Sequence, residues 1–169
     1  MKEYIITVMA RDRVGIIRDV STGLSDIGGN LTHVSQTVMR GYFTLILSVE
    51  MPDERTHLEI RQAVERQGGI GEFEVNVRPF EDPISEAERD SEQFTLSLRG
   101  VNRGGVISRV SDYLAGRQIN IDDFYAYAFD GRFIMLVQVS IPMDLDIDLI
   151  QTELAQVGKE YGLIVHLQH

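Results

Sequence analysis

The chain has 169 residues, of which 43% are hydrophobic, and its formal net charge is −10. This length suits one ordinary domain or two small domains packed together, because each half alone is near the lower size limit for a stable core. With 16 basic residues against 26 acidic ones, we expect no direct contact with nucleic acid. Because the chain has no cysteine, disulfides, thiolate zinc sites and cysteine nucleophiles are excluded.

Membrane insertion and export are also not expected. No apolar run reaches the roughly 20 residues that a membrane span requires. The opening stretch, MKEYIITVMARDR, is apolar only over the length of a strand and has no cleavage-site pattern. The expectation is therefore a cytoplasmic protein with no membrane partner.

The chain repeats itself with a constant offset of 90 residues. Residues 4–79 align with residues 94–169 without a gap. Shared hydrophobicity alone would not bring glycine, asparagine and proline into register, so the repeat indicates a duplicated domain. The matched pairs include Arg13/Arg103, Gly15/Gly105, Asn30/Asn120, Gly41/Gly131 and Pro52/Pro142.

The repeat predicts two domains, residues 1–80 and 93–169, joined by a linker of residues 81–92. The stretch FEDPISEAERDSEQ between the copies holds six acids, one base and Pro83. This composition is typical of a solvated linker, and it allows a helical turn after Ser85.

In chain order, the first copy begins with residues 4–9, which are β-rich and predict a strand. After Gly15, apolar side chains recur at spacings of three and four, which predicts an amphipathic helix. Gly28 and Gly29 are expected to end it, since glycine tolerates the positive φ of a helix C-terminus. The polar positions of this helix, Asp19 among them, are expected to face solvent.

Residues 30–39 and 42–51 are predicted to form two strands joined at Arg40–Gly41, and the second copy has Asp130–Gly131 there, a strong hairpin signal. A second helix follows Pro52 and a final strand is predicted at residues 72–77. The order βαββαβ predicts an α+β fold of two ferredoxin-like sandwiches, each an antiparallel sheet with both helices on one face. Apolar residues on the other sheet face suggest that it is partly covered by the other copy or a second chain.

In each copy a loop leaves the first strand and enters the helix at a glycine. A helix N-terminus presents unpaired N–H groups and a partial positive charge, and glycine lets a ligand approach the backbone closely. Such a loop can receive a small carboxylate. Asn30 and Asn120 begin the next strand and are expected near the glycine loops, where their amides suit an amino acid. The alternative is that glycine only permits the turn and asparagine only satisfies a helix end.

A strand, then DRVG, a helix, and then N-L at the next strand, all within βαββαβ, resembles the ACT domain, a family of amino-acid-sensing regulatory modules. The resemblance covers nearly the whole chain in two copies. It implies a ligand site where two ACT domains pair, a protein partner that responds to occupancy, no catalysis and no cofactor. The ligand-binding residues that it implies are Asp12, Arg13, Val14, Gly15, Asn30 and Leu31 in the first copy, and Asn102, Arg103, Gly104, Gly105, Asn120 and Ile121 in the second.

The loops depart from the family pattern in two ways. Many family members have proline before the glycine, where this chain has Val14 and Gly104, and the second copy has Asn102 in place of the loop acid. Because the Gly104–Gly105 pair is more flexible, the second copy is expected to bind differently or not at all.

As a free-standing tandem pair, the chain is most similar to the glycine-cleavage-system transcriptional repressor group, which has no DNA-binding motif of its own and acts through a partner. It is also similar to the tandem ACT segment that precedes some phosphoserine phosphatases. These resemblances imply a role in controlling glycine or serine metabolism and leave open whether the chain forms a homodimer or serves as an assembly module without a ligand.

Two enzyme patterns are weaker. MDLDIDL, residues 143–149, contains the D-x-D of haloacid-dehalogenase phosphatases, but Pro142 separates it from a buried strand, so Asp144 and Asp146 are expected at a helix start. Acylphosphatase shares the ferredoxin-like fold and uses an arginine and an asparagine, but its phosphate loop is not found here.

The remaining polar and aromatic candidates favour structural roles. The four histidines lack metal-ligand spacing, so no metal site is predicted. Tyr125 and Tyr127 lie on one face of a predicted strand, which favours packing at an interface over lining a ligand pocket.

Overall fold

The computed structural model describes residues 1–81 and 90–169. The chain divides into two compact units, Met1–Ile84 and Ser85–His169. The helical turn predicted after residue 85 lies outside the described residues, as does most of the predicted linker. The first strand of the second unit begins at Ser91, inside the predicted linker range.

Both units contain the predicted βαββαβ order. The longest helix of the described residues has 15 residues, and none of the helices in these ranges is long and apolar enough to cross a membrane. The first unit contains β1 (Lys2–Arg11), α1 (Ile16–Ser25), β2 (Asn30–Met39), β3 (Tyr42–Met51), α2 (His57–Glu65) and β4 (Glu74–Pro79). The second contains β5 (Ser91–Val101), α3 (Val106–Gly116), β6 (Asn120–Phe129), β7 (Arg132–Pro142), α4 (Ile147–Tyr161) and β8 (Leu163–Gln168).

The two four-stranded sheets are antiparallel and have corresponding strand orders, β2-β3-β1-β4 and β6-β7-β5-β8. Alternate residues of the central strands, such as Ile6 and Leu47, are buried with helix residues such as Leu24 and Ile60 in one core per unit. The two ferredoxin-like sandwiches predicted from the sequence are therefore confirmed. In each sheet the strand that follows the first helix lies at an edge, and this position decides which loops can meet.

The hairpins have the predicted bounds and turn chemistry. Strands β2 and β3 begin and end at the predicted residues. Arg40 and Gly41 have φ of 50° and 79°, and Asp130 and Gly131 have φ of 48° and 71°. Two successive positive φ angles are the requirement of the tight turn that matches strand twist.

The second helix of each unit begins at a side-chain cap. Thr56 accepts a hydrogen bond from the Glu59 amide at 3.3 Å, and the Glu59 carboxylate accepts one from the Thr56 amide at 2.9 Å. Asp146 caps α4 by accepting from the amides of Asp148 and Leu149 at 3.0 and 3.1 Å. The D-x-D stretch is thus a helix start, as predicted. Helices α1 and α3 begin differently.

The contact between the two helices is built differently in the two units. In the first, Gly23 lets α1 approach α2 closely, since a Cβ at Gly23 would lie 2.5 Å from the carbonyl oxygen of Ala63. In the second, Tyr113 and Glu153 stand at these positions, and the Tyr113 hydroxyl donates to Glu153 at 2.6 Å. Burial of the hydroxyl is the main cause, and this hydrogen bond the second, that raises the pKa of Tyr113 to about 12.

Candidate functional site

The loops that precede α1 and α3 share one backbone geometry. Gly15 and Gly105 stand at the N-cap positions with φ of 93° and 89°, in the left-handed region. Neither helix start has a side-chain cap among the described residues. Val14, beside the first glycine, is 97% exposed. Both loops are thus surface loops whose first-turn N–H groups have no side-chain cap.

Ion pairs fix the conformation of the loop in the first domain. Arg13 donates to the carboxylate of Glu72 and to the carbonyl oxygen of Val14, and its Nη2 lies 2.8 Å from Asp19. Arg18 donates to the other oxygen of Asp19 at 2.7 and 2.9 Å. Asp19 is only 9% exposed, so the expectation that it faces solvent is wrong. Two guanidinium groups allow this carboxylate to be buried.

These contacts shift the pKa values of Asp19, Glu72 and Arg13. The guanidinium groups of Arg18 and then Arg13 lower the pKa of Asp19. The pKa of Glu72 is lowered by Arg13 and by the Gly69 amide, which donates to Glu72 at 2.5 Å. Glu72 and Asp19 in turn raise the pKa of Arg13. The cations beside Gly15 are therefore neutralised by the domain's own carboxylates.

Acid should weaken the first domain through this cluster. Because the folded state lowers the pKa of Glu72, its contribution to stability is present above the unfolded value and is lost as pH falls through the folded value. We expect Glu72→Gln to lower the urea midpoint of unfolding at neutral pH and to converge with the wild type as pH falls below the ordinary glutamate pKa of about 4.3. Glu74→Gln, at an exposed position of β4, is the control. A constant gap between Glu72→Gln and the wild type over this fall in pH would contradict the role given to the ion pair.

The loop of the second domain has the opposite charge balance. Arg109 and Gly162 stand where the first domain has Asp19 and Glu72. Among the described residues Arg103 forms no ion pair, and Arg109 lies 3.9 Å from Glu160. This loop therefore keeps a positive charge that the first loop neutralises.

The asparagine of each copy is far from the glycine loop of the same domain. Asn30 pairs with Glu50, which pairs with Glu3 near the start of β1. The Gly15 loop follows Arg11 at the other end of β1, about 26 Å away at roughly 3.3 Å per residue. The expectation that asparagine and glycine lie close within one domain is wrong, because β3 stands between β1 and β2 and the loop leaves β1 at the opposite end.

The second domain repeats this separation. Asn120 pairs with Ser140, at the end of the sheet opposite the Gly105 loop. The amide of Asn120 donates to Asp122 at 2.7 Å, and that of Asn30 donates to Glu50 at 3.3 Å. The neighbouring Leu31 and Ile121 are half-buried against the two cores.

A comparison with known families agrees with the repeat, the two sandwiches and the glycine loop found in each unit. A model of the ACT domain matches residues 4–69, and a second ACT domain model matches residues 92–168. The chain belongs to the ACT domain family. Both units are therefore ACT domains, members of a family of regulatory modules.

Relatives and solved structures resemble these ACT domains singly or as a pair. UPF0237 proteins of Methanosarcina mazei and Streptococcus mutans are 38% identical over 76 residues and 32% over 74, which is 44% of this chain in each case and 83% and 84% of those proteins. A crystal structure of an unknown protein from Galdieria sulphuraria covers 99% of this chain and 97% of its own, with a TM-score of 0.79 and 25% identity. The structure of a candidate glycine cleavage system transcriptional repressor covers 99% of this chain and 96% of its own, with a TM-score of 0.72 and 15% identity, which shows a shared fold.

The other features that could form a site in the ACT domains are metal-ligand clusters and clefts. Within residues 1–81 and 90–169, no group of three or more histidine or acidic side chains could hold a metal ion. A cleft of about 360 Å³ is lined by residues 62, 65, 66 and 68–71, and none of the predicted ligand residues lines it.

Proposed function

We propose that this protein is a non-enzymatic regulator that binds a small amino acid through its ACT glycine loops and signals occupancy to a protein partner. Membership in the ACT family and the likeness in fold to a candidate glycine cleavage repressor make transcriptional control of glycine or serine metabolism the favoured setting. The proposed ligand residues are those that the family resemblance implied. In each domain the glycine-loop residues lie at one end of the sheet, and the asparagine and its neighbour lie at the other.

The observation that carries the proposal is the difference between the helix starts of each domain. Thr56 and Asp146 cap the second helices with their own side chains, whereas the first helices begin at left-handed glycines without such caps. A carboxylate from outside can accept from these amides, and each such bond contributes about 1.5–3 kcal/mol. Two or three bonds would hold a metabolite in the micromolar to millimolar range.

A complete site of this kind needs two domains. The Gly15 loop and Asn30 lie at opposite ends of one sheet, and Gly105 and Asn120 repeat that separation. The loop of one ACT domain would therefore hold the carboxylate while the asparagine strand of another meets the rest of the ligand. A ligand at such a junction favours the arrangement of domains that completes the site, which is how its occupancy would reach a partner.

Charge favours the second loop as the stronger carboxylate receptor. Asp12, Asp19 and Glu72 outweigh Arg13 and Arg18 around Gly15. Around Gly105, Arg109 lies 3.9 Å from Glu160, and Arg103 forms no ion pair among the described residues. We therefore propose that the second loop binds the carboxylate, although the flexibility of Gly104–Gly105 alone predicts that it binds differently or not at all.

The pairing of Arg13 disfavours the acylphosphatase alternative. An arginine that binds a phosphoryl group needs free N–H donors. Arg13 donates instead to Glu72 and pairs with Asp19. A pure assembly module stays as the competing function, and ligand binding separates the two.

A thermal-shift screen of the full chain over the natural amino acids, followed by calorimetry, tests the proposal. We expect a small amino acid to stabilise the protein by about 2.7 kcal/mol at a hundredfold excess over Kd. Its amide derivative, which lacks the carboxylate, should give no shift. Analogues are preferable to glycine replacement, because any side chain at Gly15 or Gly105 would be strained at these φ angles. If no amino acid shifts the transition, or if the amide binds equally well, the carboxylate-receptor proposal fails.

A further inference from the structure

The helix-free face of the second domain's sheet carries an exposed apolar patch on β6 and β7. Tyr127 and Phe129 are 72% and 76% exposed, and Tyr125, Ile134 and Leu136 are about half exposed. Strand register places Tyr125 opposite Leu136 and Tyr127 opposite Ile134, so these side chains form two adjacent rows on one face. We call these five residues the β6–β7 patch.

The sister domain shows that the fold does not require this patch. At the positions corresponding to Tyr125, Tyr127 and Ile134, offset by 90 residues, the first domain has Ser35, Thr37 and Thr44, whereas Phe129 and Leu136 correspond to the exposed but non-aromatic Met39 and Ile46. Both sheets nevertheless have the same strand order and the same hairpin register. The aromatic surface therefore meets a requirement other than folding, and contiguous exposed apolar surface of this kind marks an interface.

We propose that the β6–β7 patch is a homodimer interface, in which it packs face to face against the same patch of a second copy. The charges around the patch are arranged for this. Asp123 lies opposite Gln138 in the row at one end, and Arg132 lies opposite Phe129 in the row at the other. A two-fold axis across the strands, through the centre of the patch, reverses the order of the rows in the partner. The row of Asp123 then faces the row of Arg132 from the other copy at both ends.

Charge and polarity also select the second copy over other occupants. The chain has a net charge of −10, which opposes self-association in general. On this face, however, Arg99 and Arg132 balance two aspartates, Asp123 and Asp122, the second of which accepts a hydrogen bond from Ser140, so the face is less acidic than the chain as a whole. The corresponding face of the first domain presents Ser35 and Thr37 beside the exposed Met39 and Ile46, so hydroxyls that would lose water against aromatic rings interrupt its apolar surface.

Sedimentation equilibrium of the full chain over the micromolar range, without any amino acid, tests the dimer. A double variant, Tyr125→Ser with Tyr127→Thr, carries the first domain's residues at these two positions. It should weaken dimerisation by at least about tenfold while leaving the circular dichroism spectrum unchanged. Met39→Thr, at the exposed position of the first domain that corresponds to Phe129, is the matched control and should have no effect.

Charge reversal tests the geometry independently. Asp123→Arg and Arg132→Asp should each weaken the dimer, and the chain that carries both changes should restore it, because the two-fold axis pairs them again. A wild-type chain that stays monomeric, a dimer unaffected by the tyrosine changes, or a double reversal that fails to restore association would overturn the proposal. Since no amino acid is added, these outcomes do not depend on the ligand-binding proposal.

Discussion

Gly23→Ala is expected to destabilise the first domain by about 1–2 kcal/mol and to lower its transition temperature by roughly 5–15 °C. The new Cβ would lie 2.5 Å from the Ala63 carbonyl oxygen and 2.9 Å from Cγ of Gln67. The Gln67 side chain can rotate away, but the carbonyl is backbone, so α1 and α2 must separate. Overpacking of this kind costs about 1–3 kcal/mol or more, and the better helix propensity of alanine offsets only up to about 1 kcal/mol.

Gly116→Ala is the matched control for this change. Gly116 also lies near the C-terminus of the first helix of its domain, α3. A Cβ added at Gly116 would have no heavy atom within 4 Å. Alanine should therefore leave the second domain unchanged or stabilise it by up to about 1 kcal/mol. Differential scanning calorimetry on the full chain measures both variants. Equal effects of the two changes would mean that the close approach of the helices at Gly23 does not limit the first domain's stability.

The fold could be predicted from the sequence because the duplication supplied each signal twice. The doublets Arg40–Gly41 and Asp130–Gly131 marked the hairpins, and the strand bounds beside them are those observed. The exchange at the helix contact was also visible in principle, since Gly23 and Ala63 align with Tyr113 and Glu153. When two small residues in one copy correspond to two large residues that can form a hydrogen bond in the other, the two positions are expected to face each other.

The site was predicted less completely because its parts depend on tertiary contacts. Helical periodicity assigned Asp19 to the solvent face, and it carries no information about the guanidinium groups of Arg13 and Arg18 that allow its burial. Sequence order also placed Asn30 next after α1, whereas the sheet inserts β3 between β1 and β2. One signal was available: the change from Asp19 to Arg109 between copies shows that the two loops differ in charge.

Arg103→Glu is expected to weaken amino-acid binding by about 30-fold if the second loop is the carboxylate receptor. The change removes an attraction and adds a repulsion of about 1 kcal/mol each at the surface, and about 1.4 kcal/mol corresponds to a tenfold change in Kd. Arg103 has no ion pair among the described residues, so its replacement should leave the fold intact. Calorimetric titration with the amino acid that stabilises the wild type most measures the effect.

The control is Arg78→Glu, which changes the net charge equally at an exposed position of β4 in the first domain. It should alter Kd by less than about twofold at physiological ionic strength, because screening limits exposed charges to roughly 8 Å. The two variants together separate a local contact from a general effect of net charge. If Arg103→Glu binds as tightly as the wild type, the ligand's carboxylate does not lie at the Gly105 loop, and the self-neutralised Gly15 loop would have to hold it by backbone amides alone.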